Sequence, residues 1–187
     1  MTKILGISGS LRKASFNTAL LKAAQSVAPD EITFETATLH AIPLYDGDVE
    51  AASGVPAAAE ELKQKIGAAD GVILFTPEYN NSIPGVFKNA IDWASRPPAD
   101  IRKVFGSRPF ALAGASSGNF GTILSQNAWL PVMRTLGADL WAGKRFMLPK
   151  AGTLFDDDGA LTDDDTRERL RGFVKAFADY VAARRAR

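Results

Sequence analysis

Val72-Ile73-Leu74-Phe75, running directly into Thr76-Pro77-Glu78-Tyr79-Asn80-Asn81-Ser82-Ile83-Pro84-Gly85, decides the fold class. Four apolar residues without alternation describe a strand covered on both faces, as in a parallel sheet flanked by helices. The polar loop that follows leads into a helix from about Pro84 to Ala94. Nearer the N-terminus, Ile4–Ile7 reads as a similar short buried strand, ended by Ser8-Gly9-Ser10. Leu20, Leu21, Ala24 and Val27 then recur at helical spacing, with Asn17 or Thr18 as N-cap. Ile32–Thr38 is a second, more polar strand, and residues 40–54, with Pro43, Gly47 and Gly54, read as a loop. Pro56 suits the first turn of a helix carrying Ala59, Leu62 and Ile66 on one face.

Phe110–Gly114 is the fourth strand, a helix covers about Thr122–Leu136, and a fifth strand lies within Leu140–Leu148. Residues 149–161 read as a loop. Thr162 and Asp165 form a capping-box variant for a last helix with Leu170, Phe173, Val174, Phe177 and Val181 as its buried stripe. Arg184, Arg185 and Arg187 read as a solvated end. Strands alternating with helices imply parallel pairing through right-handed crossovers. The expectation is one α/β domain over 1–187, a three-layer, doubly wound sandwich with a five-stranded parallel sheet. A ligand then sits beyond the carboxyl ends of the strands. Three loops fall there: 8–17, 76–83 and 115–121.

Composition narrows the chemistry. The 187 residues suit one domain, and 46% hydrophobic with 23% charged residues is ordinary for a globular protein. With 22 Lys+Arg against 21 Asp+Glu, a net charge of +1 gives no footprint for nucleic acid. No Cys is present, which removes disulfides, thiolate nucleophiles and Cys-ligated metal centres. The single His, His40, cannot build a multi-His metal site, and a bound cofactor must carry any redox chemistry. Met1-Thr2-Lys3 runs into Ile4–Ile7 without a signal-peptide core, and no apolar run approaches the ~20 residues of a membrane span. A cytoplasmic protein with no membrane partner is expected.

The first loop, Gly9-Ser10-Leu11-Arg12-Lys13-Ala14-Ser15-Phe16-Asn17, joins a strand to a helix N-terminus, where free N–H groups and the helix dipole favour an anion. Ser10, Ser15 and Asn17 supply neutral donors, and Arg12 a charged fork suited to phosphate. Neither GxGxxG nor GxxxxGK[ST] is present. The second loop offers backbone donors and the Tyr79 ring at a pocket rim, suiting a planar heterocycle with polar edges. The third, Ala115-Ser116-Ser117-Gly118-Asn119, has small side chains and accessible N–H groups for that heterocycle's edge.

Residues 9–17 resemble the phosphate loop of the NADPH-dependent FMN reductase family, nearest to its chromate/quinone reductase branch. Pro77-Glu78-Tyr79-Asn80-x-Ser82-Ile83-Pro84-Gly85, with Lys88-Asn89-Ala90-Ile91-Asp92-Trp93, resembles that family's second hallmark. Ile42-Pro43-Leu44-Tyr45-Asp46 is a third, less specific match. The blocks occur in family order across essentially the whole chain. The chain departs at Asn81, where many members carry an aromatic residue. The resemblance implies a flavodoxin-like fold, tightly bound FMN and two-electron reduction driven by NADPH or NADH.

It also implies that Ser10, Arg12, Ser15 and Asn17, with the Phe16 backbone, hold the phosphate. Pro77, Glu78, Tyr79 and Asn80 line the isoalloxazine, and Ser116, Ser117 and Gly118 meet the pyrimidine edge. Small-molecule acceptors follow: quinones, flavins, azo compounds or chromate. So does a homodimer or homotetramer, packed through the helices after the second and third loops. No side chain is needed as a general acid or base, and Glu78 reads as a solvated or structural carboxylate. His40 reads as structural or exposed, and Phe87, Trp93, Trp129 and Phe120 as core or subunit contacts. The competing readings are a flavodoxin-type electron carrier, against which the absence of an acidic balance weighs, and a flavin-binding sensor module.

Overall fold

A computed structural model describes residues 1–186. Arg187 of the expected solvated end lies outside the described residues. The chain runs β1 (Thr2–Ser8), α1 (Phe16–Ser26), β2 (Ile32–Ala37), α2 (Gly47–Ser53), α3 (Ala57–Ala68), β3 (Gly71–Phe75), α4 (Gly85–Ala94) and α5 (Ile101–Val104). It continues through β4 (Pro109–Ala115), α6 (Ile123–Thr135), β5 (Asp139–Leu140), β6 (Phe146–Leu148) and α7 (Asp164–Arg185). Among the described residues one sheet forms, in the order β2-β1-β3-β4-β5, with β6 also pairing β4. Every pairing is parallel. This 2-1-3-4-5 order is that of the flavodoxin-like doubly wound fold, in which the strand order reverses at a switch point between β1 and β3.

Helices cover both faces of the sheet. On one side α1 and α7 bury Leu20, Leu21, Phe173, Val174 and Phe177 against Ile4, Ile73 and Ala113. On the other, α3, α4 and α6 bury Leu62, Ile66, Phe87, Ile91, Trp129 and Met133 against Leu5, Val72, Leu74 and Leu112. All five residues of β3 are buried, the physical counterpart of its unbroken apolar run. Ser8 pairs with Phe75, and Phe75 with Ala113, so β1 and β3 end level, β4 runs two residues further to Ala115, and the three loops leave the same edge of the sheet.

Several local expectations are corrected. The α1 cap is Ser15, whose side chain accepts from Thr18 N–H; Asn17 and Thr18 lie inside the helix. The 40–54 loop contains α2, started by Asp46, whose carboxylate accepts from Asp48 N–H. The fifth strand is two short pieces, β5 and β6, each borrowing part of the β4 edge. The 149–161 loop holds a 3-10 turn at Ala151–Thr153. Asp163, not a Thr162/Asp165 box, caps α7 by accepting from Thr166 N–H at 2.8 Å. At α1 and α7 neighbouring short polar side chains compete for the cap, and the local backbone path selects among them.

Candidate functional site

The site begins at the β1–β3 switch point. Gly9 N–H donates to the Phe75 carbonyl at 2.9 Å, so the first loop starts on the end of β3. A Cβ at Gly9 would run into the Phe87 ring, which explains a residue without a side chain there. The loop is then built from short polar bonds. Ser8 Oγ and Thr18 Oγ1 lie 2.7 Å apart, and Arg12 N–H donates to Ser10 Oγ at 3.3 Å. The Arg12 guanidinium is exposed and donates one N–H to the Ala14 carbonyl at 3.1 Å, leaving further donors of its fork available. Ser10 and Ser15 are buried, with hydroxyl groups at the mouth of α1.

Asn17 behaves differently from a simple ligand donor. Its Nδ2 donates to the Ala115 carbonyl at 2.9 Å, and its Oδ1 accepts from Ala115 N–H at 2.9 Å. The amide therefore ties the start of α1 to the last residue of β4, with one Nδ2 hydrogen left over. No local spacing reveals this, because the partners lie 98 residues apart.

In the second loop, Tyr79 and Ser82 exchange both backbone hydrogen bonds, at 3.1 and 3.0 Å, around Asn80 and Asn81. Both asparagines have positive φ, 49° and 62°, as the central residues of a type I′ hairpin turn do. Asn tolerates that conformation better than an aromatic residue, which gives the departure at Asn81 a backbone reason. Below the turn, Thr76 Oγ1 meets Ser125 Oγ at 2.8 Å and accepts from Trp129 Nε1 at 3.1 Å. Glu78 Oε2 accepts from Leu124 N–H at 2.8 Å and Ser125 N–H at 3.0 Å, so this carboxylate is structural.

The third loop is pinned from behind. Ser116 N–H donates to the Leu148 carbonyl, and the Ser116 and Gly118 carbonyls accept from Ala151 and Lys150 N–H. Ser117 and Gly118 are exposed in front. Ser10, Arg12, Ser15, Phe16, Asn17, Pro77, Glu78, Tyr79, Ser116 and Ser117 line one cavity of about 380 Å³ together with Ala115, which the sequence reading missed. Asn80 and Gly118 stand outside that lining, Asn80 because the hairpin turn carries it outward.

Two neighbouring features went unforeseen. Protonated at Nε2, the exposed His40 ring donates to the Leu11 carbonyl at 3.2 Å and so touches the first loop. The 42–50 segment is strapped to α4: Asn89 Nδ2 and Trp93 Nε1 both donate to the Pro43 carbonyl at 2.9 Å. Tyr45 N–H donates to Asn89 Oδ1 at 2.8 Å, and Arg96 pairs with Glu50 at 2.8 Å. The bond from Arg96 holds the Glu50 carboxyl below its ordinary value against some desolvation. Phe87, Trp93 and Trp129 are fully buried, whereas Phe120 is 77% exposed and so is no core residue.

One end of the cavity is a helix N-terminus with an arginine fork and no carboxylate in its loop. The other is an aromatic rim with small residues and exposed backbone. A phosphate joined to a planar ring system fits both ends, so the fold and donor set define a mononucleotide-binding α/β protein. Comparison with known proteins carries this to a family: residues 2–153 match the family model for NADPH-dependent FMN reductases, and the chain belongs to that family.

The chain is 42% identical to an NAD(P)H-dependent FMN reductase of Pseudomonas aeruginosa, over 96% of this chain and 95% of that one. It is 38% identical to a 2-hydroxy-1,4-benzoquinone reductase of a Burkholderia species, over 98% of both. The solved structure of FerB, a flavoenzyme NAD(P)H:(acceptor) oxidoreductase from Paracoccus denitrificans, superposes with a TM-score of 0.86 at 33% identity, covering 98% of each chain. The protein is thus an FMN-dependent oxidoreductase driven by NAD(P)H, acting on small molecules. Among the described residues no helix is long and apolar enough to cross a membrane.

Proposed function

We propose that the chain acts as one flavin domain, an NAD(P)H:quinone oxidoreductase of broad acceptor range in the cytoplasm. Quinones are its main acceptors, and free flavins, azo compounds and chromate are further ones. The observation that carries the site reading is the convergence of three separate loops on one cavity with an anion end and a heterocycle end. Ser10, Arg12, Ser15 and Asn17 with the Phe16 backbone would hold the phosphate. Pro77, Glu78, Tyr79 and Asn80, with Ser116, Ser117 and Gly118, would flank the ring by backbone and edge. When bound there, FMN would supply the redox chemistry, two-electron transfer from NAD(P)H to the acceptor. The protein's part is orientation, hydrogen bonding from fixed backbone, and control of water. Quinone reduction is supported by relatives carrying that activity in their names.

The exposed Tyr79, Phe120, Leu124 and Leu130 lie on the second loop, the third loop and α6. They support assembly of two or four copies around the cavity mouths, which light scattering tests. The decisive experiment is anaerobic titration of the purified yellow protein with NADPH and NADH, followed by turnover with a quinone panel. Stoichiometric bleaching and quinone-dependent NAD(P)H oxidation without an added reductase support the enzyme. Bleaching only with an added reductase would instead mark an electron carrier, and bleaching without turnover on any acceptor a sensor.

A further inference from the structure

α6 starts without a cap of its own. Thr122 occupies the N-cap position but makes no side-chain bond to the helix amides, and its Oγ1 accepts from Gln126 Nε2 at 3.2 Å. The missing partner comes from 46 residues away: Glu78 Oε2 takes both the Leu124 and the Ser125 N–H. The first amides of a helix carry partial positive charge and need acceptors, so a carboxylate there is doubly favoured. Two residues earlier, Thr76 is held by the same stretch of α6 through Ser125 and Trp129. The second loop is thus fastened to α6 at 76 and 78, with Pro77 limiting the backbone between them. Beyond the second fastening stands the Tyr79–Ser82 hairpin turn, closed on itself by its own backbone bonds.

We propose that Glu78 is a positioning residue whose side-chain oxygen, seated on the α6 amides, sets the direction of the hairpin turn and the backbone of residues 77–80 that meets the flavin ring. The inference rests on the reading that the three loops hold FMN. It assigns the side chain a role in ring placement that requires an acceptor oxygen at one distance, and no titration. Both amides use the same oxygen, so one carbonyl oxygen on an equally long side chain suffices. Glu78→Gln therefore keeps the arrangement. Glu78→Asp, one methylene shorter, and Glu78→Ala both lose it.

The test uses the full-length protein and FMN as probe, with three readouts. These are hydrogen exchange at the Leu124 and Ser125 amides, FMN affinity of the protein freed of flavin, and visible circular dichroism of the bound flavin. Expected for Glu78→Ala and Glu78→Asp are faster exchange at those two amides, FMN binding weakened about tenfold, the value of roughly one misplaced backbone hydrogen bond to the ring, and an altered visible dichroic band. Glu78→Gln returns all three close to wild type and also serves where Glu78→Ala does not fold. If exchange rises while affinity and dichroism stay as in wild type, Glu78 only caps a helix and the inference is overturned. If Glu78→Gln behaves like Glu78→Ala, charge and not position matters, and the inference is likewise overturned. Arg12→Ala separates the premise from the inference. If wild type binds FMN and neither Arg12→Ala nor Glu78→Ala weakens it, the site reading falls with it; if Arg12→Ala alone weakens it, only the Glu78 role falls.

Discussion

Arg12 and Asn17 flank one helix terminus, yet their side chains divide into a free fork and a committed brace. Arg12 is exposed and bonded only within its own loop, to the Ala14 carbonyl. On the proposed site reading, removing it leaves the fold alone and takes a charge-assisted contact from the phosphate. Hydrogen bonds to a charged group contribute roughly 1.5–3 kcal/mol, so Arg12→Ala should weaken FMN by about 10- to 150-fold. Fluorescence titration of the FMN-free protein measures this, and unchanged affinity would remove residues 9–17 from the phosphate site. Asn17→Ala has the opposite signature. It strips partners from the buried Ala115 N–H and carbonyl, at a cost of roughly 2–4 kcal/mol for two orphaned backbone groups. Urea unfolding without FMN should show that loss for Asn17→Ala and almost none for Arg12→Ala; equal midpoints for Asn17→Ala and wild type would contradict the brace. Both residues were legible as site candidates because a polar loop after a buried strand is a local pattern. Their division of roles was not, because Ala115 joins Asn17 only through the sheet.

At the scale of elements, the contacts that order the loops run between α6 and the strands. Gly114, inside β4, packs so close to Thr122 and the Thr76 carbonyl that a Cβ would overlap both. Gly114→Ala should therefore displace the start of α6, destabilising the fold by roughly 1–3 kcal/mol as overpacked cores do. Thermal unfolding reads this, and a melting temperature equal to wild type would show that the strand can yield there. A second knot joins α3 to the turn after α4. Lys63, 7% exposed, donates to Glu60 at 2.9 Å and the Arg96 carbonyl at 3.0 Å, and pairs with Asp100 at 2.8 Å. Burial pulls its ammonium down, but the bonds to Asp100 and Glu60 outweigh this and leave it raised. The bond from Lys63 in turn holds both carboxyls below their ordinary values.

The linkage follows in sign. Depressed carboxyls add stability above the ordinary carboxylate range, and it is lost as pH falls through their lowered values. A raised lysine adds stability up to its ordinary range, and this is lost as pH rises through the raised value. Lys63→Met should thus differ most from wild type near neutrality, the gap in melting temperature closing below about pH 4. A gap that stays constant down to pH 2 would mean that the ion pairs contribute nothing.

For the whole molecule, the consequence of one cavity is competition. On the proposed site reading, NAD(P)H and the acceptor would both have to reach the same face of the ring. Initial rates at several fixed quinone concentrations should therefore give parallel double-reciprocal lines, and intersecting lines would require a second approach to the ring.

The residue pattern by itself determined the layer architecture. Unbroken apolar strands, helical stripes and short polar loops are each encoded over a few neighbours, where burial and periodicity act directly. It also determined which loops gather at one edge of the sheet, because parallel strands send all their carboxyl ends there. The motif blocks carried the family, and with it FMN. The tertiary structure alone decided how the loops are held. Asn17 on Ala115, Glu78 on α6, Thr76 on Trp129 and the strap from Pro43 to Trp93 join residues 46 to 98 positions apart. It also chose Ser15 and Asp163 among adjacent candidate caps, and divided the last strand between β5 and β6 along one edge of β4. Such choices depend on which backbone groups the packed sheet leaves without partners, a quantity that exists only once the chain has folded.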